Sequence, residues 1–542
     1  MKRSYKQLLK SMLVASLVTG SVFTAYAHTN HEATSYCCES QEDGSQMMMA
    51  GSMHHKGMPH SQQNMHQGMM PIMHEIMQPG MPHHGMRHGV DDVVKFQTIQ
   101  QAARPLAIPP LLEGTLNEQG RTVFNIVAQA GENQLKDGDA TKTYGYNGNV
   151  LGPVLSMKQG DKVSIHLKNT LPEETTFHWH GLVVPSDVDG GPHHPIAANG
   201  GTGQIDFTVN QEASTAWFHP HAMGTTASQV YKGLAGLIRI EDEEQTKLGL
   251  PNTYGVDDIP VILQDRNFTV NNQWDYKTSY EADGVYGDTL LVNGTINPYF
   301  KVNAKIMRLR LLNGSNARNY TLQLSDGASF RQIASDGGLL ETPVTMSTLT
   351  LAPGERAEVV MDFSKYEGQL PALVTADGTV VLAFERGTMS DRGTNIPQWQ
   401  RHKNLTVNPN TLQESMMAKA DKTVVMAGMA EAVTINGQKF SMDRIDLTSK
   451  LGSTEIWDII NADSAMMGMM HPFHIHGVQF EVVSRNGKPV APNEQGFKDT
   501  IQVEPGETVR IKVHFTQPGV FMVHCHILEH EENGMMIQLL VK

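Results

Sequence analysis

Twelve side chains that can bind a metal ion are concentrated in four short runs of the chain. They are ten histidines, one cysteine and one methionine, although only 15 histidines occur from residue 90 onward. The runs are His178-Trp179-His180, His219-Pro220-His221, His471-Pro472-Phe473-His474-Ile475-His476, and His524-Cys525-His526 with His530 and Met535. Side chains of an extended strand repeat every second residue, so each His-x-His pair can place two imidazoles in one cluster. Neutral imidazole suits copper, and a thiolate with two imidazoles and a distant thioether is the ligand set of a blue copper site, so the runs can hold four copper ions.

The ordinary alternative is that these residues only fill the interior. A single buried histidine or cysteine is more often a core residue than a ligand. Four His-x-His pairs, one of which encloses a cysteine, do not fit that explanation. The other five histidines of the region keep the ordinary interpretation: His166, His193, His194, His402 and His514.

Length and charge restrict the class of protein. A chain of 542 residues has room for about three domains. Its formal net charge of −14 repels nucleic acid and anionic lipid and attracts cations. We therefore expect no nucleic-acid partner and no membrane partner, and we expect a monomer.

The first 27 residues are typical of a secretory signal. A basic start precedes an apolar stretch, and Ala25-Tyr26-Ala27 resembles a cleavage site, so we expect cleavage after about Ala27 and a periplasmic protein. With three cysteines the chain has no disulfide framework. Cys37 and Cys38 are adjacent, too close for an unstrained bridge, and the alternatives are copper thiols, pairing with another chain, or chance.

The segment 28–95 contains a tract of unusual composition. Residues 47–89 hold 12 methionines and 8 histidines, interrupted by glycine and proline. Thioethers prefer Cu(I), imidazoles accept either copper ion, and too few aliphatic residues are present to form a core. We interpret the tract as a disordered copper-collecting segment; the alternative is a flexible linker without a metal role.

The remainder of the chain predicts an all-β fold. Apolar and polar residues alternate over 162–167, 308–311 and 509–515, with Arg308 and Arg310 on a polar side. Each stretch of 140 to 150 residues carries an Asn-Gly turn near its start and a Gly-acid turn before a later strand. The repeat predicts three β-sandwich domains in series at 96–247, 248–405 and 406–542, hereafter the first, second and third units.

Only the first and third units carry the ligand runs. A cluster with half of its ligands near residue 200 and half near residue 500 must lie where these units meet. Copper would then also hold the two units together. The second unit is interpreted as a spacer that fixes how the outer units meet.

The four runs, with their order and spacing, resemble the multicopper oxidases, the group of laccases and ascorbate oxidase. The similarity covers about residue 95 to the C-terminus. The stretches around His178, Val188-Asp189-Gly190-Gly191-Pro192, His219 and Glu529-His530-Glu531 look like those of bacterial copper-efflux (cuprous) oxidases. The resemblance implies cupredoxin-like Greek-key sandwiches and an enzyme that couples four one-electron oxidations to reduction of dioxygen to water.

The resemblance also implies a role for each ligand. Type 1 copper would be held by His471, Cys525, His530 and Met535. Type 2 copper would be held by His178 and His474. The two type 3 ions would be held by His180, His219 and His526, and by His221, His476 and His524. Asp189 and Glu531 match the acidic residues that deliver protons in the family, and Cys525 would pass electrons to its two histidine neighbours.

Methionines beside the type 1 run suggest where a soft Cu(I) substrate would bind. The candidates are Met426, Met429, Met466, Met467 and Met469. The alternative is that they only pack the end of the domain. Two departures from the copper-efflux oxidases concern this region, since the chain lacks their Met-rich insertion between 397 and 436 and has Met467 where they have an acidic residue.

Two other functions remain open. One is a laccase-type oxidation of phenols or other metal ions by the same copper centres. The other is a copper sequestration or carrier protein without turnover, against which a cysteine placed between two cluster histidines argues.

Overall fold

The computed structural model describes residues 94–98, 101–390, 399, 409–466 and 468–542. The predicted signal peptide, most of the Met/His-rich segment, Cys37, Cys38, His402 and Met467 lie outside these residues. Strands dominate and helices are few, so the prediction of an all-β fold of three cupredoxin-like sandwiches is confirmed. Among the described residues, no helix is long and apolar enough to cross a membrane.

The first unit is a sandwich of two sheets with strand orders β2-β6-β10-β9 and β3-β4-β7-β8, and β5 also pairs with β4. Two short helices follow β9 and β10, namely α1 (Thr226–Lys232) and α2 (Glu243–Lys247). The strands are β2 (Leu111–Leu112), β3 (Thr115–Leu116), β4 (Thr122–Asn133), β5 (Thr141–Tyr146), β6 (Val154–Lys158), β7 (Lys162–Asn169), β8 (Gly201–Thr208), β9 (Ser214–Phe218) and β10 (Gly236–Glu241).

The second unit has two six-stranded sheets with orders β1-β13-β21-β20-β15-β18 and β12-β11-β14-β19-β16-β17. Its first strand, β1, lies within 96–247 in the sequence but pairs in parallel with β13. The strands are β1 (Arg104–Pro105), β11 (Asp258–Arg266), β12 (Thr289–Val292), β13 (Pro298–Ala304), β14 (Ile306–Asn313), β15 (Tyr320–Leu324), β16 (Phe330–Ser335), β17 (Gly338–Met346), β18 (Thr348–Leu351), β19 (Arg356–Asp362), β20 (Leu373–Thr375) and β21 (Val380–Ser390).

The third unit has sheets of order β23-β22-β25-β31-β27-β28, with β29 on β27, and β24-β33-β32-β26-β30. Helix α3 (Pro409–Met417) precedes β22, and α4 (Leu528–Glu532) joins β32 to β33. The strands are β22 (Lys422–Ala427), β23 (Thr434–Ile435), β24 (Leu447–Ser449), β25 (Thr454–Asn461), β26 (His471–Ile475), β27 (Phe480–Arg485), β28 (Lys488–Pro489), β29 (Phe497–Lys498), β30 (Thr500–Val503), β31 (Thr508–His514), β32 (Gly519–Cys525) and β33 (Met536–Val541).

The internal repeat has a common hydrogen-bond motif. In each unit the asparagine of the Asn-Gly turn has a positive φ, between 51° and 54°. Its Oδ1 accepts a hydrogen bond from the N–H of one strand residue, and its own N–H donates to the carbonyl of the same residue. The pairs are Asn147 with Val127, Asn293 with Ile262, and Asn436 with Val425. Left-handed backbone favours asparagine among non-glycine residues, which explains why the turn was visible in the sequence.

The alternation at 308–311 does not mark a face in water. Arg308 and Arg310 are fully buried, because this face of β14 packs against the first unit. Arg310 donates to Asp258 at 2.7 Å and to Glu358 at 2.9 Å, and Arg308 Nε donates to Glu358 at 2.9 Å. Thr215 of the first unit also donates to Glu358, at 2.7 Å. The alternation correctly separated the two arginines from the apolar side of β14, but their polar side is covered by a charged interface and does not face solvent.

Candidate metal centres

Paired strands bring the ligand runs together. In the first unit, β9 leads directly into His219-Pro220-His221, and the backbones of His178 and His219 form a two-bond bridge of 2.9 and 3.1 Å. In the third unit, β26 and β32 are antiparallel neighbours, with His474 opposite His524. All ten histidines of the four runs are buried. Backbone pairing brings the histidines together within each unit, and the contacts described next bring those of the first and third units into one cluster.

Three imidazoles of the cluster meet through their Nε2 atoms. His476 Nδ1 bonds Asp189 Oδ2 at 2.8 Å and His524 Nδ1 bonds the Cys525 carbonyl at 3.0 Å, so each Nδ1 donates. Nδ1 of His221 faces Glu531 at 3.4 Å. Their Nε2 atoms, by contrast, lie 3.3 Å apart for His221–His524 and 3.0 Å apart for His476–His524. Converging lone pairs repel unless a cation lies among them, and so this trio fits a metal ion.

The other five imidazoles of the cluster also present unused nitrogens. His178, His219 and His474 each bond a backbone carbonyl through Nδ1, at 2.8 to 3.0 Å, and leave a buried Nε2 without a partner. His180 is reversed, with Nε2 at 2.9 Å from Asp499 and Nδ1 free. Both nitrogens of His526 lack a partner. Buried polar atoms are almost always bonded, so these orphaned nitrogens indicate metal ligands.

The protonation states suit metal binding. Burial lowers the pKa of His524 to about 3. Burial, together with the neighbouring imidazoles, also keeps the pKa values of His180, His219 and His474 well below the ordinary histidine range. Neutral imidazole is the form that coordinates a metal ion.

A second centre lies beside the cluster. Cys525 Sγ lies 3.7 Å from Nδ1 of His471 and 3.7 Å from Nδ1 of His530, and all three residues are buried. Met535 is buried as well, and its carbonyl accepts from the Cys525 N–H at 3.1 Å. Burial raises the pKa of the Cys525 thiol, so a thiolate there calls for a cation. The arrangement agrees with the ligand set predicted for a blue copper site.

Two carboxylates contact the outer nitrogens of this second centre. Asp463 Oδ2 lies 3.0 Å from His471 Nε2, and Asp283 of the second unit lies 3.6 Å from His530 Nε2. Sequence reasoning missed both. Asp463 stands eight residues before His471, so the chain has an acidic contact here although Met467 occupies the place where copper-efflux oxidases carry theirs.

The two predicted proton-delivery residues lie against the histidine cluster. Asp189 Oδ2 lies 2.8 Å from His476 Nδ1 and 3.5 Å from His178 Nδ1. Glu531 contacts His221 and His524 at 3.4 and 3.3 Å. Burial raises the pKa of Glu531 well above its usual range. One oxygen of each carboxyl group has no hydrogen-bond partner, so each can exchange a proton there.

The candidate substrate methionines separate into two groups. Met426 is fully buried in the hydrophobic core of the third unit and does not line a surface with the others. Met429 and Met466 are exposed, to 41% and 87%, and Met469 is partly buried against the same core. Met467 lies outside the described residues.

Sequence reasoning also missed Asp499, which lies within ligand distance of His180 and His474. No local signal marks it, because its partners are 319 and 25 residues away. Among the five histidines that were interpreted as ordinary, the four that the structure describes are exposed and lie outside both centres.

The comparisons with known proteins agree with this geometry. Three sequence models described as multicopper oxidase match residues 128–245, 257–388 and 404–542. The chain belongs to the multicopper oxidase family. It is a copper-dependent oxidoreductase that uses dioxygen and a reducing substrate.

Individual relatives cover most of both chains. "Multicopper oxidase mco" of Staphylococcus haemolyticus (strain JCSC1435) is 43% identical, over 85% of this chain and 96% of its own length. The crystal structure of a laccase from Pediococcus acidilactici Pa5930 is 43% identical with a TM-score of 0.77, over 83% of this chain and 95% of that one. A laccase-like multicopper oxidase CueO from the lignin-degrading bacterium Ochrobactrum sp. is 37% identical with a TM-score of 0.72, over 81% and 100%.

Proposed function

We propose that each chain holds four copper ions and oxidises Cu(I) to Cu(II), with reduction of dioxygen to water, as a copper detoxification enzyme. The type 1 ion would be bound by His471, Cys525, His530 and Met535. The type 2 ion would be bound by His178 and His474. The type 3 ions would be bound by His180, His219 and His526, and by His221, His476 and His524. The observation that carries the assignment is the set of buried, unprotonated nitrogens that converge beside a buried Cys525.

The chain connects the two centres through covalent bonds. Cys525 turns its sulfur towards His471 and His530, while its sequence neighbours His524 and His526 lie in the cluster. An electron that enters at the sulfur therefore has a path of a few bonds to either imidazole. Bound copper would supply the one-electron steps and the reduction of dioxygen.

Proton supply is assigned to the two buried carboxyl groups. Glu531 would donate from the side of His221 and His524, and Asp189 from the side of His476 and His178. In each carboxyl group, one oxygen near the cluster has no hydrogen-bond partner, so it is free to take up a proton and pass it on. Carboxyl groups in such positions can act as general acids.

The entry of substrate is assigned to the surface next to the two type 1 imidazoles. The N–H of Gly428 donates to Asp463 at 2.7 Å, and the N–H of Ala430 donates to Asp283. Met429 thus lies in sequence between the two residues whose N–H groups bind the carboxylates beside these imidazoles. A thioether favours Cu(I) and carboxylates favour the harder Cu(II), so this combination suits an ion that is oxidised there. Met466 and Met469 extend the same surface, Met467 remains a candidate, and Met426 is left out.

The cellular setting follows from the leader. A cleaved signal over 1–27 would place the protein in the periplasm, where the tract 47–89 would collect scarce copper for the enzyme. We expect the mature protein to act as a monomer without membrane or nucleic-acid partners.

A laccase-type oxidation of phenols is the second candidate. It is supported by the Pediococcus laccase and by the Ochrobactrum enzyme, which has oxidase activity towards lignin model compounds and lignosulfonate. The rates of oxygen uptake with Cu(I) and with a phenol, measured on the same preparation, distinguish a cuprous oxidase from a laccase.

Copper content, spectroscopy and oxygen uptake test the proposal together. The full chain should bind about four copper ions, show a thiolate-to-copper blue band, and consume dioxygen when given Cu(I). Cys525→Ser should remove the colour and the turnover but leave the fold intact. Turnover by that variant would refute the proposed electron path, and a colourless wild-type protein with tight copper would favour a storage protein.

A further inference from the structure

The second unit supplies no ligand among the described residues, yet Gly354 lies against a cluster histidine and Arg356 binds a residue that contacts two more. Gly354 has a positive φ of 84°, and a Cβ at this position would lie 2.9 Å from the ring of His526. A side chain at 354 would therefore push the imidazole away. Two residues further on, Arg356 begins β19 and is completely buried.

Arg356 joins all three units through its guanidinium group. Nε donates to the Thr215 carbonyl of the first unit at 3.0 Å. Nη1 and Nη2 donate to Gly354 and Asp336 carbonyls of its own unit, at 3.1 and 3.2 Å. The same two nitrogens bind both oxygens of Asp499, in the third unit, at 2.6 Å each. All five N–H donors of the side chain are thereby used, which only an arginine fork can do.

Asp499, which Arg356 binds, also contacts two of the proposed ligand histidines. Its Oδ1 lies 2.9 Å from His180 Nε2, and its carbonyl oxygen accepts from His474 Nδ1 at 2.8 Å. Thr500 adds a hydroxyl near both rings, at 3.0 and 3.1 Å. One residue therefore decides which nitrogen of each imidazole is left for a metal: Nδ1 of His180 and Nε2 of His474.

The surroundings hold the ion pair rigidly. Asp336 accepts from the Arg356 N–H at 2.7 Å and contacts Lys498, next to Asp499, at 3.1 Å. On the other side, Gly181 follows His180 with a φ of 91°. A Cβ at 181 would lie 2.5 Å from Arg356 Nη2 and 2.9 Å from Asp499 Oδ2, so only glycine fits against the pair.

We propose that Arg356 is a positioning residue of the copper cluster, which acts through Asp499 to orient His180 and His474. The second unit is then part of the site and more than a spacer. This role rests on the proposed ligand set. Without the bidentate hydrogen bonds from Arg356, the Asp499 carboxylate is free to turn away from His180. Residue 499 also loses its anchor to the second unit, so the carbonyl that holds His474 is no longer fixed. Loss of such outer contacts commonly lowers metal affinity by about 10- to 100-fold.

The test compares Arg356→Lys with Arg308→Lys in the full chain. Arg308 is equally buried and lies on the neighbouring strand β14. Its guanidinium group donates to Glu358 and Gln245, neither of which is a proposed copper ligand. We expect Arg356→Lys to raise the copper concentration that half-fills the type 2 site by about 10- to 100-fold, measured from the type 2 electron paramagnetic resonance signal and the copper content. The blue band of the Cys525 site should persist, and Arg308→Lys should titrate like the wild type.

A glycine pair gives a second comparison if the lysine variants do not fold. Gly181 and Gly160 share a φ of 91°, but the space around a Cβ at 160 is open. Alanine therefore strains the backbone equally at both positions and disturbs the ion pair only at 181. We expect Gly181→Ala alone to weaken the type 2 signal.

The outcomes separate this role from the ligand set. A wild-type chain without a type 2 signal would overturn the ligand set and, with it, the role of Arg356. A normal wild-type signal with equal copper affinity in both members of each pair would overturn the role of Arg356 alone.

Discussion

Asp463→Asn should alter both the potential of the type 1 site and the preference for a metal-ion substrate. The Asp463 carboxyl group is 10% exposed, lies 3.0 Å from His471 Nε2 and is held by the Gly428 N–H. A charged hydrogen bond is worth about 1.5–3 kcal/mol, roughly twice a neutral one, so removing the charge costs the oxidised site about 1.4 kcal/mol. For one electron this corresponds to a rise in reduction potential of about 60 mV.

The same substitution removes a hard ligand from the surface proposed for the substrate. We expect kcat/KM for Cu(I) to fall by about tenfold or more, the equivalent of about 1.4 kcal/mol, while a phenol is oxidised at least as fast as before. Redox titration of the blue band gives the potential, and oxygen uptake with each reductant gives the rates.

Asp283→Asn is the matched control for this prediction. Asp283 lies 3.6 Å from His530 Nε2 and is 42% exposed, so solvent screens it and its effect should be less than half as large. Equal losses with Cu(I) and phenol would show that Asp463 does not favour the metal-ion substrate. An unchanged potential in Asp463→Asn would show that its charge does not stabilise the oxidised type 1 site.

Three further predictions concern protons, stability and copper supply. Glu531→Gln should slow reoxidation of the fully reduced protein by about 10²–10⁴-fold at unchanged copper content, seen by stopped flow, and a normal rate would exclude it as proton donor. Burial alone would raise the pKa of Glu358, but Arg308 and Arg310 lower it to about 2 from 4.5; its ionised form thus contributes about 3 kcal/mol above pH 4.5, lost as the pH falls towards 2. The Tm difference between wild type and Glu358→Gln should therefore shrink over that range, and a constant gap would contradict the ion pairing. Deletion of 47–89 should slow turnover only at scarce copper; equal rates at every copper level would remove the collecting role.

The ligand runs were predictable because their information is local. A His-x-His pair on a strand places two imidazoles on one side whatever the rest of the chain does. The Asn-Gly turns at 147, 293 and 436 were visible for the same reason, since each requires a left-handed backbone at one position. These signals were enough for the fold class and for ten histidines, Cys525 and Met535.

The outer contacts could not be predicted because they join distant parts of the sequence. Arg356 and Asp499 are 143 residues apart, and Asp283 reaches His530 from another unit. Alternation likewise separates polar from apolar residues but does not tell whether a polar side faces water or a charged interface, so it could not show that Arg308 and Arg310 lie in an interface. Met426 illustrates a related limit, since composition near a site does not tell a core methionine from an exposed one.

The division of ligands between the first and third units also sets the timing of biosynthesis. Domains tend to fold in order as the ribosome releases them. The imidazoles at 178–221 are made early, but the cluster lacks proposed donors until residue 526 has been added, and the type 1 centre lacks one until residue 535. A nascent or prematurely terminated chain thus contains no finished redox centre. Incorporation of the metal therefore selects for chains that have been synthesised and folded to the end of the third unit.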